Sequence, residues 1–321
     1  MRSESQPQTR TRRAGRARRA DADPLAWDVT SPSLTPETFS RFQRLVHRES
    51  GINLTDAKQA LLVGRLGRRL RELALPSFAE YLRVVESDEA ELVRMIDSIA
   101  TNETRFFREP RQFEFLGGDV FPRWMAEAGE GTRPRRVRVW SAGCSTGEEP
   151  YSIAMLLLSL FPRGWSLEVL ATDISTRALE KARAAIWPLE RSAQIPPGYL
   201  RAFMLRGTGT QDGKMKAGPE IRGIVRFERV RLNDDAYPVA GPFDLIFCRN
   251  VLIYFDAEGK RRIVERLLDR LDPAGLLLVG HAESLNAITD RVRGVMPSVY
   301  VPAQAQPRPG RSRSGVWRAS R

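Results

Sequence analysis

Three short stretches of the chain carry residues whose types and spacing could do chemistry, at 98–109, 135–150 and 243–255. The second stretch runs from an alternating apolar segment into small residues and a glycine, and then into two acids, Glu148 and Glu149. This order is typical of a strand, a tight turn and the start of a helix. Such a turn brings the backbone close to a nucleotide-like ligand.

The same turn also predicts the charge of that ligand. It lacks the G-x-G-x-x-G spacing, and Glu148 and Glu149 occupy the place where a pyrophosphate needs backbone amides and positive charge. A nucleotide diphosphate is therefore disfavoured. A cationic ligand that carries an adenosine fits better, and S-adenosylmethionine is such a ligand.

A second strand is predicted to end in an acid, Asp173, 26 residues after Gly147. In Rossmann-like sheets an acid at this position accepts hydrogen bonds from the ribose hydroxyls. The alternative is that Asp173 caps the helix that follows. Ser175 is able to fill that cap instead, which would leave Asp173 for the ribose.

The stretch 243–255 reads as a third strand that delivers polar residues at its carboxyl end, where open α/β sheets bind ligands. Arg249 and Asn250 directly follow the apolar run, and packing does not explain them. Tyr254 fits equally well a binding role and a core aromatic whose hydroxyl is satisfied.

The stretch 98–109 places three hydrogen-bonding side chains within seven residues, beside an aromatic pair. They are Asn102, Thr104 and Arg108. Taken alone, this pattern also fits a polar turn followed by the start of a helix.

The elements that must position these residues follow from periodicity. A helix is expected to begin at Thr35-Pro36, an N-cap followed by proline, and three more are expected at 57–73, 77–86 and 88–98. After a link at 100–135, strands and helices alternate. The expected strands are 137–142, 167–172, 225–232, 243–248, 276–279 and 299–301. The expected helices are 148–160, 175–186 and 257–271. This alternation predicts a mainly parallel α/β sheet covered on both faces, interrupted by a small subdomain at about 188–224.

Composition narrows the class of protein. The formal net charge is +12, but residues 1–20 and 302–321 carry +6 and +5 of it, so the part between them is nearly neutral. These ends are rich in Arg, Ser, Pro and Gln and are predicted to be disordered. No apolar run reaches the roughly 20 residues of a membrane span, and no secretory signal is present. The two cysteines imply no disulfide framework, which favours a reducing cytoplasm.

Together, the three stretches resemble the chemotaxis receptor glutamate methyltransferase (CheR) family. The similarity spans roughly residues 35–302. The matching strings are Thr101-Asn-x-Thr-x-Phe-Phe-Arg-Glu109, Val139-Trp-Ser-Ala-x-x-Ser-Thr-Gly-Glu-Glu-Pro-Tyr-Ser-Ile-Ala154, Thr172-Asp-Ile174, Phe243-Asp-x-Ile-Phe-Cys-Arg-Asn-Val-x-Ile-Tyr-Phe255 and Gly280-His-Ala-Glu283.

The resemblance implies a small all-α helical domain at 34–110, followed by a Rossmann-like class I S-adenosylmethionine-dependent methyltransferase domain at 111–302. A small β subdomain would be inserted into the second domain at about 188–224. The flanking stretches, 1–33 and 303–321, are expected to be disordered basic tails.

The resemblance also implies roles for individual residues. The residues expected to line the cofactor site are Asn102, Thr104, Arg108, Glu148, Asp173, Arg249 and Asn250. Arg108 and Tyr254 are expected nearest the transferred methyl group. The family usually has Asn-Leu beside adenine, whereas this chain has Arg231-Leu232 followed by Asn233, so each of these three is a candidate for that contact. No metal ligand set is implied.

The implied activity is that of a protein-glutamate O-methyltransferase acting on the cytoplasmic domain of methyl-accepting chemoreceptors. A glutamate carboxylate, with an unperturbed pKa of about 4.3, is ionised at neutral pH and needs no general base. This agrees with the presence of only two histidines, His47 and His281, neither in a catalytic-looking pair. The planar guanidinium of Arg108 suits the task of orienting a carboxylate.

The acidic receptor surface would meet a basic helix whose arginines are Arg65, Arg68, Arg69 and Arg71. A solvated charged face is the alternative reading of this helix. We expect a cytoplasmic monomer with no specific nucleic-acid partner and no membrane span.

Two other functions remain open at this point. The arginine-rich ends suggest a nucleic-acid methyltransferase, but the string Cys-Arg-Asn-Val at 248–251 is unlike the Asn/Asp-Pro-Pro-aromatic motif suited to base amino groups, and the central part lacks excess positive charge. The other is a non-catalytic module that binds S-adenosylmethionine. The presence of Arg108, Tyr254 and the Arg249-Asn250 pair argues against lost catalysis.

Overall fold

The structure is a computed structural model that describes residues 34–304. The stretches 1–33 and 303–321, predicted to be disordered tails, lie outside the described residues except for Ala303 and Gln304, which form a turn after the last strand.

The first part of the described chain is a bundle of four helices. They are α1 (Pro36–Ser50), α2 (Gln59–Glu72), α3 (Phe78–Ser87) and α4 (Glu89–Ile99). The Thr35 hydroxyl caps α1 by accepting the Thr38 N–H at 3.2 Å, as the sequence predicts. The stripe of Leu62, Leu66 and Leu70 on α2 is fully buried in the bundle core. The bundle therefore has a hydrophobic core of its own.

The predicted link at 100–135 contains two helices that the periodicity did not reveal, α5 (Pro110–Phe115) and α6 (Phe121–Gly129). A π-helical turn at Leu116–Val120 joins them. Helix α5 begins with Pro110, where the missing N–H costs nothing, and α6 continues from the π-helical turn with Pro122 as its second residue. Their buried aromatic residues, such as Trp124, pack on one face of the sheet.

The large sheet has seven strands in the order β6-β2-β1-β7-β8-β10-β9. These strands are β1 (Arg136–Ala142), β2 (Ser166–Asp173), β6 (Val225–Arg229), β7 (Phe243–Cys248), β8 (Leu271–Val279), β9 (Val292–Met296) and β10 (Val299–Pro302). The first five in that order are parallel, and β10 is antiparallel to both of its neighbours. Strand β9 was not predicted.

Both faces of this sheet are covered. The main covering helices are α7 (Glu148–Leu160), α8 (Thr176–Ala184) and α11 (Ala257–Leu268). Along β1, Val139 packs into one hydrophobic core and its neighbour Trp140 into the other, because successive strand residues point to opposite faces. The predicted fold class, a Rossmann-like methyltransferase sheet preceded by a small helical domain, is confirmed.

A second, three-stranded antiparallel sheet interrupts this alternation. Its strands are β3 (Ile186–Pro188), β4 (Met204–Arg206) and β5 (Lys214–Ala217), with helix α9 (Pro197–Phe203) between β3 and β4 and α10 (Pro219–Gly223) after β5. The prediction that α8 reaches Ile186 is wrong, because Ala185 adopts a left-handed φ of 54° and Ile186 pairs with Lys216. The predicted helix 257–271 likewise ends early, at Leu268, and β8 begins at Leu271.

None of the helices within 34–304 combines the length and the apolar character that a bilayer-spanning helix requires.

Candidate functional site

A cleft with a volume of about 290 Å³ lies at the carboxyl ends of the parallel strands, between the sheet and the helical bundle. Residues from all three sequence stretches line it. The predicted site residues in its wall are Asn102, Thr104, Arg108, Asp173, Leu232, Arg249, Asn250 and Tyr254. The fold therefore brings together residues as distant in the chain as Asn102 and Tyr254, which are 152 positions apart.

The glycine turn after β1 gives the cleft its shape. Gly143 has a φ of 86°, and a Cβ atom there would lie 2.4 Å from Val251 Cγ2. Gly147 has a φ of 98° and packs directly on Ala182 of α8. A side chain at Gly143 would push the turn away from the loop that follows β7, and a side chain at Gly147 would push it away from α8.

Asp173 lies at the end of β2, and its carboxylate is buried. Oδ2 accepts the Ser145 N–H at 2.8 Å and Oδ1 accepts the Ser175 N–H at 2.9 Å. Helix α8 is capped by Ser175, whose hydroxyl accepts the Ala178 N–H at 3.1 Å. Burial raises the pKa of Asp173, and the two backbone N–H groups act in the opposite direction. Each oxygen keeps a lone pair for a ligand hydroxyl.

Arg249, directly after β7, forms the centre of a buried polar network. Its Nε donates to Glu149 Oε2 at 2.7 Å, and its Nη1 donates to the Arg108 carbonyl at 2.5 Å and to Gln112 Oε1 at 3.2 Å. The second oxygen of Glu149 accepts the Ser141 hydroxyl at 2.6 Å. In the part of the chain that the structure describes, the buried Nη2 of Arg249 has no hydrogen-bond partner.

Asn250 has a left-handed backbone with a φ of 58°, and Glu283 holds it there. The Glu283 carboxylate accepts the N–H groups of Asn250 at 2.8 Å, Gly280 at 2.7 Å and Ile253 at 3.2 Å. Within 34–304, the buried Oδ1 of Asn250 is also left without a hydrogen bond. In the sequence, Glu283 appeared only within a string shared with the family. Its position just after a predicted strand was the signal that could have marked it as a site residue.

The segment 99–107 carries Asn102 and Thr104 into the cleft wall without regular secondary structure over most of its length. The Ser145 hydroxyl donates to the Asn102 carbonyl at 3.1 Å, and Arg191 donates to the Thr104 carbonyl at 2.8 Å. Side chains from other elements therefore fix this segment.

The partly exposed lining of the cleft includes Arg108, Tyr254 and Lys58. Arg108 is half-buried, and its Nη1 donates to the Glu103 carbonyl at 3.1 Å. Lys58 Nζ lies 5.9 Å from the centre of the Tyr254 ring and donates to the Asn53 carbonyl at 3.0 Å. Burial lowers the pKa of Lys58. Lys58 was not predicted as a site residue, because it precedes α2 as an isolated cation outside any of the motifs.

Two predicted cofactor residues do not line the cleft. Glu148 is buried beside it, where its carboxylate accepts the Thr146 hydroxyl at 2.6 Å and lies 3.4 Å from Arg191 Nη1. Its neighbour Glu149 lines the cleft instead. Arg231 is exposed and pairs with Asp234 at 3.1 Å.

Of the three candidates for the adenine contact, Leu232 is the one in the cleft wall. The Asn233 side chain donates to the Arg48 carbonyl at 3.3 Å. Neither histidine lines the cleft: His281 is exposed, and His47 pairs with Asp256 at 3.1 Å. Burial raises the pKa values of both cysteine thiols far above their usual range, so neither is a nucleophile.

The four arginines of the predicted docking helix divide into two kinds. Arg68 and Arg71 are exposed. Arg69 is tied to the buried Glu91 at 2.6 Å, and Arg65 reaches across to the segment 99–107. The exposed arginines of α2 therefore number two of the four that the sequence analysis names as docking candidates.

The polar groups in the cleft that are available for hydrogen bonding indicate which ligand the cleft binds. Arg249 Nη2 offers a buried cationic donor, Asn250 Oδ1 a buried acceptor, and Asp173 a carboxylate for hydroxyl groups. A ligand with a carboxylate, an ammonium group and a ribose completes all three. S-adenosylmethionine has these groups, so the residues present fit it.

Two family models match consecutive parts of the chain. The all-alpha domain of the CheR methyltransferases matches residues 37–100, and their SAM binding domain matches residues 102–301. The chain is 40% identical over 270 residues to chemotaxis protein methyltransferase 2 of Pseudomonas aeruginosa, covering 84% of this chain and 94% of that one. It is 40% identical over 264 residues to the chemotaxis protein methyltransferase of Escherichia coli K12, covering 81% and 88%. It is 35% identical over 273 residues to that of Borreliella burgdorferi, covering 84% and 95%.

Proposed function

This chain belongs to the CheR methyltransferase family, and from that premise we propose that it forms glutamate methyl esters on the cytoplasmic domain of chemoreceptors. The observation that carries the proposal is that one cleft is lined by two sets of charged groups that differ in burial. Arg249, with its unpaired Nη2, and Asp173 are buried, and we call their part of the cleft the inner end. Arg108 and Lys58 are half-buried, and Lys58 lies 5.9 Å from the centre of the Tyr254 ring; we call this part the mouth.

The inner end binds S-adenosylmethionine. Arg249 Nη2 takes the carboxylate of its amino-acid part, Asn250 Oδ1 takes the ammonium group, Asp173 takes the ribose, and Leu232 contacts adenine. Asn102 and Thr104 close the site from the opposite wall. When bound, the cofactor supplies a methyl group activated on a sulfonium.

The mouth binds the acceptor. The glutamate carboxylate is already ionised at neutral pH, so the chain has to orient it and exclude water rather than remove a proton. Arg108 provides a guanidinium for the carboxylate and Lys58 adds a second positive charge. Tyr254 offers a hydroxyl that has no hydrogen bond to any other described residue, and it donates to acceptor or cofactor.

The receptor surface docks on the exposed cations of α2. Arg71 and Arg68 are exposed to an approaching acidic helix, although Arg68, with a side chain 83% exposed, also pairs with Glu72 at 2.9 Å; Arg69 is held within the bundle. We further infer that the enzyme acts as a monomer in the cytoplasm, where that receptor domain lies. We also infer that its helical domain ends near residue 110.

The proposal is tested by incubating the enzyme with tritiated-methyl S-adenosylmethionine and receptor cytoplasmic fragments, with RNA as the alternative acceptor. Base-labile label on the receptor that is released as methanol supports glutamate esters. Label on RNA, or cofactor binding without transfer to any acceptor, contradicts the proposal.

Arg108→Ala sharpens the same assay. We expect most methyl transfer to be lost while cofactor binding, measured by calorimetry, is retained at least in part, because Arg108 acts chiefly on the acceptor. Tyr254→Phe, which removes only a hydroxyl at the same mouth, is the matched mild variant and is expected to lose less. Full activity of Arg108→Ala contradicts the assigned role.

A further inference from the structure

Arg65 extends from helix α2 to the segment 99–107, which forms one wall of the cofactor cleft. Its Nη1 donates to the Ile99 carbonyl, and its Nη2 donates to the Thr101 hydroxyl at 3.0 Å. The side chain is half-buried, and its α2 neighbour Arg68 points to solvent instead. Two cations three positions apart on one helix therefore have different surroundings.

The contacts of Arg65 adjoin a part of the chain whose backbone is not held by regular secondary structure. Residues 101–105 have no regular secondary structure, so neither a helix nor a strand fixes their backbone. Thr101, Asn102 and Glu103 all line the cleft; Thr101 and Glu103 are exposed, and Asn102 between them is half-buried. Downstream, Ser145 and Arg191 fix the carbonyls of Asn102 and Thr104.

Upstream of Asn102, Arg65 performs the corresponding task. It bridges the carbonyl at the end of α4 and the hydroxyl of Thr101, two acceptors on either side of the point where the chain leaves the helix. A guanidinium suits this bridge, because its donors have a fixed planar spacing that an ammonium group lacks.

We propose that Arg65 is a positioning residue for the cofactor site, acting through Thr101 on Asn102. Helix α2 and the wall of the cofactor cleft thus share one side chain. The identity of the cofactor rests on the proposed function, whereas the contacts of Arg65 do not.

The test is calorimetric titration of the full chain with S-adenosylhomocysteine, which requires no receptor. Arg65→Ala is expected to weaken binding about tenfold, the range for loss of a charge-assisted hydrogen bond. Arg68→Ala, on the same helix and of the same charge, is the matched control and is expected to bind as the unsubstituted protein does. Thermal unfolding of each variant verifies that the bundle is intact.

Two further variants separate positioning from a general loss of structure. Thr101→Val removes one of the two acceptors, and its effect is expected to be smaller and non-additive with Arg65→Ala. Arg65→Lys keeps the charge but not the bridge, and is expected to restore only part of the affinity.

Unchanged affinity in Arg65→Ala overturns the proposal, as does an equal loss in Arg68→Ala or full restoration by Arg65→Lys. Failure of the methylation proposal is distinguishable, because it appears as absence of ester formation by the unsubstituted enzyme with its cofactor affinity intact.

Discussion

Two arginine–glutamate pairs, one in each half of the molecule and each with a buried glutamate, show the difference between a structural network and a binding site. In the helical bundle, Arg69 donates through Nε and Nη2 to Glu91 at 2.7 and 2.6 Å and through Nη1 to Glu72 at 2.9 Å. Tyr81 adds a hydrogen bond to Glu91 at 2.9 Å. Each guanidinium nitrogen of this pair has a partner.

At the end of the sheet, the pair formed by Arg249 and Glu149 is incomplete, although the Arg249 side chain is only 1% exposed against 20% for Arg69. Among the described residues, Arg249 Nη2, Glu109 Oε2 and Asn250 Oδ1 have no hydrogen bond. An unsatisfied buried polar atom costs about 1–3 kcal/mol, so a fold retains several together only where something else completes them. Of the buried atoms without a hydrogen bond among the described residues, Arg249 Nη2 and Asn250 Oδ1 are the ones whose residues line the cleft, which is where a ligand would complete them.

The strongest test of this comparison is Arg249→Ala. Because the substitution removes the unpaired donor and leaves Glu149 buried without its partner, we expect affinity for S-adenosylhomocysteine to fall by at least about a hundredfold. Calorimetry measures the loss. Arg249→Lys keeps a positive charge and reports on folding if the alanine variant is unstable. Near-normal affinity in a folded alanine variant would contradict the assignment of Nη2 to the cofactor. If the alanine variant does not fold, near-normal affinity in the folded lysine variant would contradict it.

The complementary substitution, Arg69→Ala, is expected to change stability instead of binding. It leaves Glu91 buried with fewer donors, which we expect to lower the free energy of unfolding by about 3 kcal/mol. Urea unfolding followed by circular dichroism gives the value. Affinity for S-adenosylhomocysteine at a temperature where the variant is folded should stay within a factor of about two, because Arg69 lies outside the cleft. A large loss of affinity for S-adenosylhomocysteine in Arg69→Ala would contradict the view that the Arg69 network is structural and the Arg249 network binds the ligand.

The sequence predicted much of the fold and of the site, because motifs record where strands end. The carboxyl ends of β1, β2 and β7 were located from apolar runs followed by polar residues, and Thr35 and Ser175 were identified as cap candidates from local chemistry alone. Helices α5 and α6 were not predicted, since Gly117 and Gly118 interrupt the apolar spacing between them.

What the sequence did not predict is orientation. Glu148 and Glu149 are adjacent in the chain, but successive helix residues point about 100° apart, and only the fold decides that Glu149 faces the cleft. The same rotation separates Arg68 in solvent from Arg69 in the bundle. Residue types give the chemistry that is available, and packing determines which neighbour supplies it.

Asp173 provides the last test of the comparison between the two networks. Like Glu91 it already has hydrogen bonds within the protein, and like Arg249 it lines the cleft. Its two oxygens already accept backbone N–H groups, yet burial raises its pKa in the free protein. Hydrogen bonds from ribose hydroxyls favour the ionised form, so cofactor binding should lower that pKa again. Binding must then release a proton at acidic pH, and affinity should rise with pH through the raised pKa and become constant above it, by at most about tenfold per pH unit.

Calorimetric titration with S-adenosylhomocysteine from mildly acidic to neutral pH measures this dependence. Asp173→Asn is the control: it should bind more weakly at neutral pH and lose the dependence, because an amide does not titrate in this range. The expected change is the smallest of the series, since only one proton is involved. If the asparagine variant keeps the same pH profile as the unsubstituted protein, the titrating group is elsewhere. Asp173 would then belong with Arg69 and Glu91, as a residue that holds the fold rather than the ligand.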